Sequence, residues 1–243
     1  MREPKKPFPA TTARGTTPAE ARSSSADVQA FLEKARRIVP SAGGKGRLIL
    51  ALDATMSRQP TWDLACELQA KMFDSVGDAL GVQLVYFRGA GECRASRFVN
   101  DASALKDLMV RIDCRGGHTQ IGKVFSHALK ADAEAKVNAV VFIGDAMEES
   151  IDDLCEKAGR LGLKGIPVFL FQEGRDAAVE TAFREFARLS RGAWFRFDRS
   201  APATLSKLLE TIAVYATGGL KALEARGTAE DRLLLENLAG RRR

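Results

Sequence analysis

The chain has 243 residues, of which 45% are hydrophobic and 28% charged, with a formal net charge of +6 and a pI of about 9.3. The apolar fraction supports a packed core and excludes a wholly disordered chain, and four cysteines are too few for a disulfide scaffold. No run approaches about 18 consecutive apolar residues, and the N-terminus lacks the apolar segment of a secretory signal, so we expect no membrane contact and a cytoplasmic protein.

The positive charge lies at the two ends of the chain. Residues 1–46 contain nine Lys or Arg and four acidic residues, and residues 218–243 contain six and four, whereas residues 47–217 contain 22 basic and 23 acidic residues. A pI above about 9 is typical of nucleic-acid-binding domains. Because the central region is close to neutral, we expect no nucleic-acid binding there. Electrostatic association of nucleic acid with the basic ends is kept as an alternative.

The N-terminal extension, residues 1–46, is rich in Pro, Thr, Ser and Arg. Apart from Phe8, residues 1–26 contain almost no large apolar side chain, so this extension is expected to be mostly disordered. Asp27 can cap a short helix at 28–39, and the Gly-rich run after Pro40 indicates a linker.

Between residues 47 and 217, short apolar runs alternate with amphipathic stretches. The apolar runs predict strands at 47–52, 82–87, 94–99 (a short edge strand), 137–143, 166–171 and 193–197. Helical spacing of apolar residues predicts helices at 61–80, 101–112, 120–135, 151–163, 176–190 and 202–217. This alternation indicates one three-layer, Rossmann-like, doubly wound α/β domain at 47–217, with a mostly parallel sheet and helices on both faces. Residues 218–243 follow as a basic extension with a short helix near 233–238.

Polar residues follow the predicted strands at the edge where ligands bind in such sheets. Asp53, Thr55 and Ser57 come at the end of the first strand. Asp145 follows the most apolar strand, and Thr119 lies in a Gly-rich loop before a helix. Two carboxylates and three hydroxyls form an all-oxygen set, which suits Mg²⁺, with Mn²⁺ or Ca²⁺ as alternatives, rather than zinc. The alternate spacing of the first three allows their oxygens to converge.

This pattern resembles the von Willebrand factor type A family and its metal-ion-dependent adhesion site. The family motif is Asp-x-Ser/Thr-x-Ser after the first strand, a Thr in a Gly-preceded loop, and an Asp after a later apolar strand. The matching positions are Asp53, Thr55, Ser57, Thr119 and Asp145. Thr at position 55 and the Gly-Asp-Ala sequence at 144–146 depart from the commoner pattern and suggest an intracellular, bacterial-type member.

The resemblance implies a binding module rather than an enzyme. In this family an acidic side chain of a partner protein often completes the coordination of the ion, and bacterial members inside cells often work beside ATPases or chaperones. We expect Arg58, His118, Glu148 and Glu149 at the rim that meets the partner, with Arg58 as the best exposed contact. The two glutamates have an alternative role, which is to complement the dipole of the helix at 151–163.

One enzymatic alternative also places aspartates directly after strands. Phosphatases of the haloacid dehalogenase type also place a nucleophilic Asp after one strand and a Gly-Asp pair after another, as Asp53 and Asp145 would. Their general acid/base is an Asp two residues after the nucleophile. That position is Thr55 here, and no acidic residue lies between Asp53 and Asp63, so we favour the binding module.

Overall fold

The computed structural model describes residues 45–55, 58–197 and 202–239. Strands and helices alternate along this part of the chain. The strands are β1 (Gly46–Asp53), β2 (Leu80–Arg88), β3 (Glu92–Val99), β4 (Ala139–Gly144), β5 (Val168–Glu173) and β6 (Ala193–Phe197). The helices are α1 (Gln59–Leu68), α2 (Lys71–Asp74), α3 (Ala102–Met109), α4 (Ile121–Glu134), α5 (Ile151–Leu163), α6 (Ala177–Leu189), α7 (Pro202–Arg226) and α8 (Ala229–Ala239), with a short 3₁₀ helix at Gly77–Ala79. The helix expected at 28–39 lies outside the described residues.

The strands form one sheet in the order β3-β2-β1-β4-β5-β6. Neighbouring strands are parallel, except that β3 pairs antiparallel with β2 at one edge. The chain runs from β1 outward to β2 and β3, then crosses to β4 on the other side of β1. These findings confirm the α/β class, the mostly parallel sheet and the edge strand at 94–99. The strand order reverses between β1 and β4, which is where open α/β sheets bind ligands.

Apolar layers cover both faces of the sheet. Strand β1 sends Leu48, Leu50 and Leu52 into one layer and Ile49 and Ala51 into the other, as the period-two geometry of a strand dictates. Helices α1, α3 and α7 cover the first layer, and α4, α5 and α6 cover the second. The helices of the described ranges include none that is long and apolar enough to cross a membrane. All four cysteines are free thiols.

The single helix expected at 61–80 is instead three short pieces: α1, α2 and the 3₁₀ helix. Gln69 lies at the first break, is buried, and donates from Nε2 to the carbonyl of Ala102 at 3.0 Å. Gly77 lies at the second break with a φ of +54°, a left-handed conformation that glycine adopts without steric cost. The apolar spacing is therefore correct for the packing of this region, but the tertiary contact and the glycine interrupt the helix.

The last two helices contribute buried side chains to the first layer. Helix α7 continues beyond its expected end through a kink at Gly219. Leu223 of α7 and Leu234 of α8 have no exposed surface. The Arg226 guanidinium binds the buried carboxylate of Asp231, with Nη2 and Oδ1 2.6 Å apart, and joins the two helices. The segment expected as a helical C-terminal extension is thus helical through α8, and its apolar face packs on the core.

Replacing Leu234 by alanine is expected to lower the free energy of unfolding by about 2–5 kcal/mol, because the truncation leaves a cavity in the core. The neighbouring Leu233 is 44% exposed, so the same truncation there should cost no more than about 0.5 kcal/mol. Urea denaturation of both variants measures the difference. Equally small losses in the two variants would contradict the packing of α8 on the core.

Candidate metal centre

The carboxyl ends of β1 and β4 bring Asp53 and Asp145 to one edge of the sheet. Asp53 is the last residue of β1, and Asp145 directly follows β4. The two strands are hydrogen-bonded neighbours whose register pairs Leu52 with Ile143. The residues that follow these partners therefore leave adjacent strands in the same direction, as the sequence interpretation expected.

Asp53 is a buried carboxylate, with 5% of the residue exposed. Its Oδ1 accepts a hydrogen bond from the backbone N–H of Thr55 at 2.8 Å, and the Thr55 side chain also bonds to it. Burial raises the pKa of Asp53 and the charge of Asp145 adds to the rise, whereas Thr55 and Arg58 oppose it. Two carboxylates in such surroundings make the presence of a cation favourable. Ser57, the third residue of this motif, lies outside the described residues.

Thr119 reaches this edge through a loop that is locked to two neighbouring loops. Its N–H donates to Oε2 of Glu148 at 3.0 Å, and its hydroxyl oxygen accepts from the backbone N–H of Glu148 at 2.9 Å. A hydroxyl oxygen has two lone pairs, so one stays available for a further ligand. On the other side, a Cβ on Gly117 would lie 2.1 Å from the backbone nitrogen of Gly89, so this close approach requires glycine.

Glu149 does not face a partner at the rim, which corrects its expected position. Its carboxylate accepts hydrogen bonds from the backbone N–H of Ile121 and, at 2.9 Å, from that of Gly122. These groups begin α4, whose own first residues supply no side-chain cap. Glu149 thus complements the dipole of α4, a helix other than the one at 151–163 that the sequence suggested. Burial raises the pKa of the Glu149 carboxyl, and the two backbone hydrogen bonds oppose that rise.

His118 and Glu148 lie at the exposed rim. Their side chains are 78% and 52% exposed, and Nδ1 of His118 lies 3.1 Å from Oε2 of Glu148. The hydrogen bond from the Thr119 backbone lowers the pKa of Glu148, and His118 lowers it further. Both side chains therefore stand beside Thr119 on the solvent side of the loops.

Arg58 is buried, which corrects the expectation of an exposed partner contact. Its side chain is 3% exposed, with Nη1 3.2 Å from Oδ2 of Asp145 and Nη2 2.5 Å from Oε2 of Glu173. The attraction of two carboxylates at neighbouring strand ends draws the guanidinium inward. The hydroxyl of Thr61 also bonds to Glu173. The buried Nε of Arg58 has no hydrogen-bond acceptor in the described part of the chain.

Glu173 is the residue of this centre that the sequence interpretation missed. The predicted strand ended at 171, whereas β5 continues to Glu173 at its carboxyl end. Residues that end parallel strands are the first candidates for ligand binding in this fold class. The position of Glu173 at the end of a strand could have identified it, but the predicted strand ended two residues too early.

The donor set fits a hard divalent cation. Asp53, Asp145, Glu173 and Arg58 together carry a formal charge of −2, and the threonines add neutral oxygen donors. The Asp145 side chain is 34% exposed, so solvent reaches it. Within the described ranges no group of three or more His, Cys, Asp or Glu side chains could hold a metal. Hydroxyl oxygens would have to complete the shell, which suits Mg²⁺, Mn²⁺ or Ca²⁺.

Comparison with known proteins identifies the fold. No family model matches the chain, and no curated protein does. A solved structure of a von Willebrand factor type A protein from Catenulispora acidiphila matches 72% of this chain with a TM-score of 0.59 and 17% sequence identity. The chain has the fold of a von Willebrand factor type A domain.

Two further solved structures match this chain with similar scores. Human COPII-coat protein Sec24c matches 70% of this chain with a TM-score of 0.56 and 13% identity. Proximal thread matrix protein 1 from the mussel byssus, in a structure with a zinc-occupied adhesion-site motif, matches 70% with a TM-score of 0.55 and 16% identity. The chain covers 43%, 32% and 45% of the lengths of these three structures, in the order given.

In the absence of metal, replacing Asp53 by asparagine is expected to raise the melting temperature of this type A fold at pH 7. The raised pKa means that ionisation of Asp53 lowers stability as pH increases above the ordinary range of aspartate. Asparagine removes that cost and can still accept the hydrogen bond from Thr55. Calorimetry in EDTA tests this, with Asp113→Asn as control, because the Asp113 side chain is 81% exposed. A melting temperature for Asp53→Asn below that of the parent would contradict the expectation.

Proposed function

We propose that this chain is a metal-dependent protein-interaction module. Asp53, Thr55, Ser57, Thr119 and Asp145 would hold Mg²⁺, and an acidic side chain of a partner protein would complete the coordination. The observation that supports the proposal is that Asp53 and Asp145 lie at the ends of adjacent strands and the loop of Thr119 is hydrogen-bonded to the loop that follows Asp145. The metal-occupied adhesion site of the mussel protein supports it by analogy of fold.

The electrostatics of the centre support a divalent ion followed by an anionic partner. A divalent ion would neutralise the formal charge of −2 that the three carboxylates and Arg58 leave. Neutral hydroxyl ligands withdraw less of the ion's positive charge than carboxylates would, so the ion can still attract an external carboxylate. Mg²⁺ keeps exchangeable waters in protein sites. Such a water position is the place for the partner's oxygen.

His118 and Glu148 would then meet the partner beside the ion. They are the exposed members of the expected rim, and their contact leaves both side chains at the surface next to Thr119. Arg58 and Glu149 would act from inside, by fixing Asp145 and the start of α4. We further propose a cytoplasmic, ATPase- or chaperone-associated assembly as the setting, which rests on the family resemblance alone.

Metal binding is the first test of this function. Titration with Mg²⁺ or Mn²⁺ is expected to raise the melting temperature of the parent chain and to give a saturable heat in calorimetry. Asp53→Ala and Asp145→Ala should each reduce the affinity at least about tenfold, because each removes a charged ligand. Asp113→Ala removes an exposed carboxylate outside the set and should bind like the parent. Unchanged affinity in both site variants would refute the centre.

Partner capture is the second test. The parent chain and Asp53→Ala are incubated with cell extract, each with Mg²⁺ and with EDTA, and the retained proteins are identified by mass spectrometry. A partner bridged by the ion should appear only with the parent chain in Mg²⁺. The same retained proteins under all four conditions would show that the ion forms no bridge. Binding that survives Asp53→Ala but falls steeply with salt would favour electrostatic association through the basic ends.

A further inference from the structure

A cavity lies beside the C-terminal half of α4, away from the strand ends that carry the candidate metal centre. Its volume is about 300 Å³, near the lower limit for sites that bind small molecules. The lining combines the N-terminal halves of β1 and β2, the end of β3 and one face of α4. The lining residues are Arg47, Gln83, Arg97, Phe98, His127, Lys130, Ala131 and Glu134.

The charge of this cavity is positive. Three of its lining residues are Arg or Lys, and Glu134 is the one acidic lining residue among those described. The side chains of Arg97 and Lys130 form no hydrogen bond or ion pair with any described residue. Arg47 is held differently: its guanidinium lies 4.0 Å from the centre of the Phe98 ring and donates to the carbonyl of Ala135. The charged groups of Arg97 and Lys130 are therefore available to a ligand. Arg47 adds to the positive electrostatic potential of the cavity.

His127 is held in one orientation by a chain of hydrogen bonds. The Nε2 of Gln83 donates to the carbonyl of Ser96 at 2.7 Å, which directs the Gln83 Oε1 toward His127. That oxygen lies 2.9 Å from Nε2 of the imidazole and can only accept, so Nε2 carries a hydrogen. The other ring nitrogen, Nδ1, has no partner in the described ranges. It can bind a ligand, and it donates when the ring is protonated.

A β-bulge explains how β3 contributes to this cavity. The pairing register is Gln83 with Phe98 and then Val85 with Ala95, so β3 has one residue more than β2 between these pairs. In a regular strand, neighbouring residues point to opposite faces. Because of the extra residue, both Arg97 and Phe98 line the cavity. Bulges that redirect a side chain are common beside binding sites.

We propose that this cavity binds a small phosphorylated molecule, with Arg97, Lys130 and Nδ1 of His127 holding its phosphomonoester group. Arg97 comes from β3, whereas Lys130 and His127 come from α4. Arg97 and Lys130 supply charged donors, and Nδ1 of His127 adds a third donor when the ring is protonated. Three donors from two elements suit a tetrahedral anion with three terminal oxygens better than a planar carboxylate. The small volume favours a compact molecule over an extended chain. The site is separate from the candidate metal centre, so neither proposal depends on the other.

Calorimetry with phosphoserine as the probe tests the site, on the full chain in EDTA. The parent should bind phosphoserine saturably and serine not at all. Arg97→Gln and Lys130→Gln should each weaken binding about tenfold or more, because each removes a charged donor. The matched controls are Arg94→Gln and Lys136→Gln, which alter exposed cations of the same strand and the same region outside the lining. Equal binding of serine, or unchanged affinity in both lining variants, would overturn the proposal.

A titration with sulfate gives an independent readout, because sulfate keeps its charge across the pH range. Burial lowers the pKa of His127, with Lys130 in the same direction and Glu134 opposing it, and Arg47 and Arg97 also face the ring. A bound anion should raise that pKa, so sulfate affinity should fall as pH rises through the titration of His127. NMR signals of the His127 ring should shift with sulfate. A pH-independent affinity together with unshifted ring signals would refute the role of His127.

Discussion

The buried guanidinium of Arg58 is the interaction on which the arrangement of the candidate metal centre depends. Carboxylates that end neighbouring parallel strands repel one another, and their burial adds a desolvation penalty. Arg58 offsets both effects by contacting Asp145 and Glu173 together. It also fixes the ends of β4 and β5 relative to the first residues of α1. A formal charge of −2 stays uncompensated, which a divalent cation would neutralise.

Two side chains of the loop after β4 also form hydrogen bonds with the backbone of another loop. Glu148 holds the loop of Thr119 by a reciprocal pair of hydrogen bonds, and Glu149 caps α4 from the same stretch. The loop after β4 therefore holds the loop before α4 in place through these hydrogen bonds. Separation of the two loops would leave the backbone donors at the start of α4 without their acceptors. The exposed rim is built on these two hydrogen-bonded loops.

The fold was predictable because its signals are local and repeated. Continuous apolar strands alternating with helices led to the correct class, and α5 and β6 had the predicted bounds. The errors arose where tertiary contacts determine the local structure. The apolar spacing predicted one continuous helix, but the helix ends at Gln69, whose side chain bonds to Ala102. For the site, strand ends identified Asp53 and Asp145. They could not reveal that Arg58 turns inward, because this depends on Glu173, 115 positions later in the chain. Capping of α4 by Glu149 is equally non-local.

The bulge in β3 has a consequence for association between molecules as well as for the cavity beside α4. β3 is an edge strand of the sheet, and the unpaired backbone groups of such a strand can recruit a strand from another molecule. Here the extra residue near Ser96 interrupts the regular spacing of those groups, and the exposed cations Arg94 and Arg97 repel a like edge. Pairing of two copies through this edge would bring their cations closer together. The irregular edge thus disfavours edge-to-edge pairing between copies of the chain.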